Sequence, residues 1–382
     1  MHAYYIFYSF SQIWAVEENK LLYQIAITLI PGIGDITAKK LIAYCGGVEA
    51  VFSEKKVHLE KIPGIGAATA QLISVADVFE RAEEEIKFIE KHKIKTYFFT
   101  EKEYPNRLKN CDDSPVLLYT KGEYDFNSGK ILSVVGTRKA TDYGKEVCQK
   151  IIEDLTPLDI TIASGLAYGI DICAHKAALQ NNLKTLAVLG HGLDTMYPSV
   201  HRDTAKKIIE NGALVTDYPS KTEFFPSNFP ERNRIIAGMA DAILVVESTD
   251  KGGSLITAEI ANSYSRDVFA VPGRVRDKYS EGCNWLISRN KAALVTSAKE
   301  IAYMMGWEMQ TGKKKVVQKQ LFVELSADEK ILADILTEKG QLHIDILSAA
   351  AKMSMSKIAA TLLNMEFSGV VSSLPGKIYK LN

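Results

Sequence analysis

The sequence is poor in the features that settle a protein's class at a glance. Five cysteines stand among 382 residues (Cys45, Cys111, Cys148, Cys173 and Cys283), and none forms a C-x-x-C pair. Scattered and odd in number, they exclude a disulfide framework and a zinc ribbon; they read as reduced thiols of a cytoplasmic protein with no metal site. No apolar run approaches the roughly 20 residues that span a bilayer, so membrane insertion is not expected. There is no surplus of charge either, because 46 Lys plus Arg balance 46 Asp plus Glu. That balance excludes a polybasic, histone-like binding mode, and any contact with nucleic acid requires local clustering of cations. The opening stretch MHAYYIFYSFSQIWAV is aromatic but lacks the basic n-region and A-x-A-like cleavage site of a secretory signal. It reads as a docked N-terminal segment or the product of an upstream start codon.

What is present is an ordinary apolar fraction of 47% and enough chain for two or three domains. Residues 17–92 read as small helices carrying a near-repeat, LIPGIGDITAKKLI from Leu29 and KIPGIGAATAQLI from Lys61. In each, a turn ends in Pro-Gly-Ile-Gly and a helix with small residues follows, leaving backbone N–H groups at a helix start. The pattern resembles the helix-hairpin-helix (SAM-like) motif of non-sequence-specific DNA binders. Gly32, Gly34, Gly64 and Gly66 are therefore candidate duplex phosphate contacts, the alternative being hairpins that only pack on each other. Residues 93–128 read as an extended, proline-marked connector.

Residues 129–306 alternate helical patterns with the apolar runs ILSVVG, ITIASG, TLAVLG, ALVTDY, AILVVES, VFAVPG and AALVTS. Continuous apolar runs mean strands buried on both faces, and the alternation predicts an α/β fold with a doubly wound, Rossmann-like parallel sheet. A basic linker at 307–325 leads to 326–382, where three helices and a hairpin predict a winged-helix domain. Its recognition helix offers only Lys357 as a cation, which favours protein contact over DNA reading, with weak DNA contact left open.

The strand ends carry the chemistry, since open α/β sheets bind ligands there. The first turn, Gly136-Thr137-Arg138, lacks both G-x-G-x-x-G and a P-loop, so neither NAD nor ATP is expected and no cofactor is predicted. What remains is an anion site at the start of the next helix, with Arg138 projecting from it. The second turn exposes Ser164 and Gly165; Asp171 and His175 lie one helical turn beyond and read as a structural pair, since no nucleophile accompanies them. The third places Arg232, Asn233 and Arg234 at a helix start, and the fourth is Lys251-Gly252-Gly253-Ser254, a second phosphate cradle. The Pro272-Gly273-Arg274-Val275-Arg276 turn adds two cations, while Asp194, Asp217, Glu231 and Asp250 share these loops. Several glycine or serine turns on one rim suit a polyanionic strand better than one small ligand.

The ordered segments GTRKATDYG, SGLAYGIDICAHKAAL, TLAVLGHGLDTMYP, FPERNRIIAG, KGGSLITAEIA and DVFAVPG resemble the signatures of the DprA (Smf) family of DNA-processing proteins, densely from Glu103 to Ser297. The resemblance implies a cytoplasmic homodimer that binds single-stranded DNA in natural transformation, protects it and helps load the RecA recombinase, without catalysis. It implies DNA contacts at Arg138, Ser164, Gly165, Lys184, Arg232, Asn233, Arg234 and Lys251, to which the glycine turns themselves add Gly136, Gly252 and Gly253. Thr137 stands where the family commonly has serine. An alternative from a different class also fits the Gly-Gly turn: it resembles the phosphate loop of cytokinin-activating phosphoribohydrolases, in which Arg232 and Glu259 would act on a nucleoside monophosphate. The proline before the glycines is missing, and Ser254-Leu255-Ile256 replaces the Gly-Thr step.

Overall fold

The computed structural model describes residues 19–307, 325–368, 370–374 and 376–381. The aromatic opening segment and the basic linker between 308 and 324 lie outside the described residues. The chain divides into two compact units between Gln310 and Thr311.

The first unit is organised by nine strands: β1 Lys95–Phe98, β2 Leu117–Gly122, β3 Ile131–Val135, β4 Thr161–Ser164, β5 Thr185–Val188, β6 Gly212–Thr216, β7 Ala242–Val245, β8 Asp267–Ala270 and β9 Ala293–Leu294. They lie in the order β1-β2-β6-β5-β4-β3-β7-β8-β9. From β6 to β9 every pairing is parallel, as the apolar runs predict. β1 and β2 pair antiparallel and extend the sheet beyond β6. The stretch expected to be an extended connector thus supplies two strands, because its short apolar bursts are sheet edge rather than linker.

Helices cover both faces. On one side Asp142–Asp154 (α4) and Ile170–Gln180 (α5) bury Cys148, Ile151, Ile152, Ala174 and Ala177 against β3, β4 and β7. On the other, Asn228–Gly238 (α7) and Gly253–Ser263 (α8) bury Ile235, Ile236, Ala258 and Ala261. Arg202–Glu210 (α6) continues the layer of α4 and α5, sitting on Ala187, Leu189 and Leu214. The chain runs from β3 through β6 in one direction and returns to place β7 on the far side of β3. The order reverses between β3 and β7, and the crevice beyond their carboxyl ends is where open α/β sheets hold ligands.

The N-terminal helices share a core with the sheet edge: Ile25, Leu41, Val51, Ile73 and Ile86 pack with Phe98, Leu117 and Tyr119. Both Pro-Gly-Ile-Gly turns take the same path. Gly32 and Gly64 are left-handed at φ +78° and +85°, which any Cβ would strain. Gly34 and Gly66 then precede Asp35–Cys45 (α1) and Ala67–Ser74 (α2), and Phe79–His92 (α3) closes the bundle.

The second unit has helices Ala327–Lys339 (α10), Ile344–Ala351 (α11) and Met355–Phe367 (α12), with Glu281–Ser288 (α9) belonging to the first. Strands Leu342–His343 (β10), Val371–Leu374 (β11) and Ile378–Leu381 (β12) form its sheet, so the expected hairpin gains a third short strand. Among the described residues no single helix is long and apolar enough to cross a membrane.

Candidate nucleic-acid interface

Two helix starts at the carboxyl edge were expected to hold anions, those of α4 and α8, and the first is already filled by one of the protein's own carboxylates. Glu247, buried after β7, accepts the Thr141 N–H at 2.9 Å and the Thr141 hydroxyl at 2.5 Å. It occupies the start of α4, so close that a Cβ on Gly144 would lie 2.3 Å from it. Asp171, in the first turn of α5, binds the loop ahead of that helix, accepting the Gly165 N–H at 3.2 Å and the Ala167 N–H at 3.4 Å. The anion site predicted at the first helix start is therefore closed. The start of α8 is not: Gly252 is its N-cap, no side chain caps it, and no acid stands in its first turn.

That open end faces a cleft of about 400 Å³ at the strand-order reversal, walled by Gly136 to Arg138, by Phe229, Arg232 and Asn233, and by Gly252 to Thr257. Gly136 lines it because a side chain there would strike Ile170 and the Glu247 carbonyl. Arg138 stands exposed at the mouth with its guanidinium 5.6 Å from the centroid of the Phe229 ring. Neither Arg138 nor Lys139 nor Lys251 forms an ion pair among the described residues. Phe229 also joins an aromatic group: Tyr197 to Phe224 is 4.7 Å between centroids and Phe224 to Phe229 is 5.3 Å. Tyr197 is 45% and Phe224 44% exposed, and Tyr168 stands beside them across Pro198. Sequence reasoning gave none of these rings a role. The signal was present in Phe224-Phe225-Pro226-Ser227-Asn228-Phe229-Pro230, three phenylalanines spanning the loop before α7 and its first turn.

Other predicted site residues have different work. Ser164 is fully buried and donates to the Val134 carbonyl at 2.6 Å. Gly165 is buried because a Cβ would lie 2.6 Å from Asp171 and 2.7 Å from Arg232. Arg232 is only 3% exposed and donates to the carbonyls of Gly165 and Val188. Burial lowers its pKa to about 10, still cationic at neutral pH, and burial likewise raises Asp171 despite the neighbouring guanidinium. Arg234 turns away from the rim, donating to Asp35 at 2.9 Å and to Asp217 at 2.5 Å. Of that triplet Arg232 and Asn233 line the cleft, Asn233 accepting from Arg232 Nε at 3.3 Å. Lys184 precedes β5 and so lies at the amino edge of the parallel sheet, over the Tyr124 ring at 5.9 Å; it cannot share a rim path with Arg138. Glu259 pairs with Lys291 at 2.9 Å and is absent from the cleft, so the structure does not form the Arg232–Glu259 pair that a phosphoribohydrolase would need.

Asp171 and His175 do not pair either. His175 Nδ1 lies 2.7 Å from the Thr185 hydroxyl, and burial depresses its pKa from 6.5 to about 3. Between those values the unfolded chain takes up a proton that the folded chain refuses, so stability falls with falling pH, by about 1.4 kcal/mol per unit. Replacing His175 with Gln is expected to remove that share of the slope between pH 6.5 and 5 in denaturant titrations.

The two hairpins also differ. Asp35, first residue of α1, accepts the Val116 N–H at 2.8 Å as well as Arg234, and Lys39 donates to Ser114 at 2.6 Å. The first helix start is thus docked on the sheet unit and carries an acid. At the second, Gly64, Gly66 and Ala67 are exposed and Lys40 Nζ approaches Gly64. Among the described residues no three His, Cys, Asp or Glu side chains form a metal-holding group.

Comparison with known proteins fixes the lineage. Residues 95–306 match the family described as DNA recombination-mediator protein A, and residues 320–377 match the DprA winged helix domain. Protein Smf of Synechocystis is 32% identical over 403 residues, spanning 96% of this chain and all of that protein. The chain belongs to the DprA/Smf family. Within that family, the DNA processing protein DprA of Streptococcus pneumoniae is 41% identical over 198 residues, 52% of this chain and 70% of that one. The X-ray structure of the S. pneumoniae protein aligns with a TM-score of 0.65 at 33% identity, covering 74% of this chain and 97% of that chain. The Helicobacter pylori DNA processing protein A, described for its unique single-stranded DNA binding mode, shares the fold at a TM-score of 0.51 and 24% identity, over 56% of this chain and 98% of that one. Membership of the DprA/Smf family makes this chain a DNA-processing protein.

Proposed function

We propose that the carboxyl edge of the sheet binds single-stranded DNA, and that the chain protects incoming strands and helps load the RecA recombinase during natural transformation, as a cytoplasmic homodimer that catalyses no reaction. The observation that carries the DNA reading is Arg138, unpaired and stacked on Phe229 at the mouth of the cleft beside the uncapped start of α8. A guanidinium on an aromatic face offers a phosphate a bidentate partner, and the exposed rings of Tyr168, Tyr197 and Phe224 offer flanking bases a stacking surface. A duplex hides those base faces, so the same surface favours a single strand.

The proposed contacts are Gly136, Arg138, Asn233, Lys251, Gly252 and Gly253, with Gly64 and Gly66 of the second hairpin as the candidate duplex contact. In the winged helix, Met355, Ala359, Leu363 and Phe367 are exposed at four-residue spacing on α12, and Lys357 is engaged by Asp328 at 2.9 Å. An apolar stripe on the recognition helix supports protein contact there. The exposed edge at β9, with Leu294 and Trp285 half-exposed nearby, supports self-association, which light scattering reads directly.

Salt-titrated binding of the full-length protein to single strands and duplexes of one length tests the reading. Tighter single-strand binding is expected, with log K falling against log salt at about 0.7 per phosphate neutralised. Equal or tighter duplex binding would overturn it.

A further inference from the structure

Beyond the Arg138 cleft the same edge carries a second, larger recess of about 670 Å³, lined by Thr141, Tyr143, Pro272, Gly273, Arg274, Asp277 and Ser280. It lies between the start of α4 and the loop after β8. Tyr143 is 50% exposed, and its hydroxyl donates to the Pro272 carbonyl at 3.3 Å, which ties the ring across the recess while leaving it open to solvent. Arg274, Arg276 and Lys278 are exposed within five residues, and none forms an ion pair among the described residues. The one acid in the wall, Asp277, accepts the Tyr279 N–H at 3.4 Å within its own turn.

We propose that this recess is a second subsite for a nucleobase and its phosphate, taking the stretch of single strand that leaves the Arg138 cleft over Gly252 and Gly253. This rests on the single-strand reading above. Glu247 already fills the start of α4, so a phosphate here is held by arginine and lysine side chains, and the base by the Tyr143 ring. β3 and β8 flank β7, so two strand spacings, about 10 Å, separate the strand ends that carry Arg138 and Arg274. One mononucleotide does not bridge that distance; a continuous strand does. The ligand class is therefore an oligonucleotide and not a free nucleotide.

The test is fluorescence anisotropy with oligothymidylates of increasing length, on full-length protein. Wild-type affinity is expected to rise with length until both subsites fill. Tyr143→Ala and Arg274→Ala keep the affinity for the shortest oligonucleotide that binds and lose the rise, leaving long oligonucleotides about tenfold weaker, within the range of one lost base–aromatic stack. Tyr143→Phe keeps the ring and retains the rise, which separates stacking from loss of the Pro272 tether. A length dependence unchanged in both alanine variants overturns the subsite, and so does an equal weakening at every length. A wild-type protein that binds no oligothymidylate at all overturns the single-strand reading itself and the subsite with it.

Discussion

Arg138→Ala is expected to weaken single-strand binding by roughly tenfold to hundredfold on every sequence tested, without loss of stability. A hydrogen bond to a charged group contributes about 1.5–3 kcal/mol, and each 1.4 kcal/mol is a factor of ten in affinity. Among the described residues this guanidinium forms no ion pair; it is exposed and lies over the Phe229 face. Arg138→Lys is expected to fall between, because an ammonium keeps the charge but loses the planar fork and the stack. The salt slope drops by about 0.7 in the alanine variant if the residue meets a phosphate of a single strand. Lys184→Ala is the internal contrast. Its place before β5 puts it on the far edge of the sheet, so its effect on the same titration is expected to stay within about twofold, the scale of a remote surface charge. Equal losses in both variants would return Lys184 to the binding path and remove the carboxyl rim as its location.

The parallel strands were legible because burial on both faces removes the polar alternation from ILSVV, TIAS, TLAV and AILV, and each run stops at a turn residue. β1 was not, since KTYF is half-exposed, lies at the sheet edge, and carries no continuous apolar run. The location of the cleft was legible from the glycine turns, because the strand order decides where a ligand sits and the turns mark the strand ends. The outward-facing side chains were not. Arg232 and Arg234 stand at a helix start like anion binders, yet the pitch of α7 points one at the Gly165 and Val188 carbonyls and the other at Asp35, 199 residues away in the chain. Glu247 lies 106 residues beyond the helix start it fills. Both facts depend on tertiary neighbours that no local pattern encodes.

Arg232→Ala is expected to act on stability first, by about 2–6 kcal/mol, the cost of leaving two buried carbonyls without their donor at about 1–3 kcal/mol each. Its removal leaves Asp171 buried with only the Gly165 and Ala167 N–H groups, and strips the Gly165 and Val188 carbonyls of a donor. Arg232→Lys does not rescue it, since one ammonium cannot reach both carbonyls from the position of the planar fork. Asp171→Asn in the same background recovers part of the loss by removing the unpaired charge, a coupling that denaturant midpoints of the single and double variants read directly. Any fall in DNA binding by Arg232→Ala then follows the folded fraction and vanishes when affinity is compared at equal folded concentration, whereas the Arg138→Ala defect persists there. If Arg232→Ala is fully folded and still fails to bind, its guanidinium reaches the strand directly, and the cleft must open by turning Arg232 away from Gly165 and Val188.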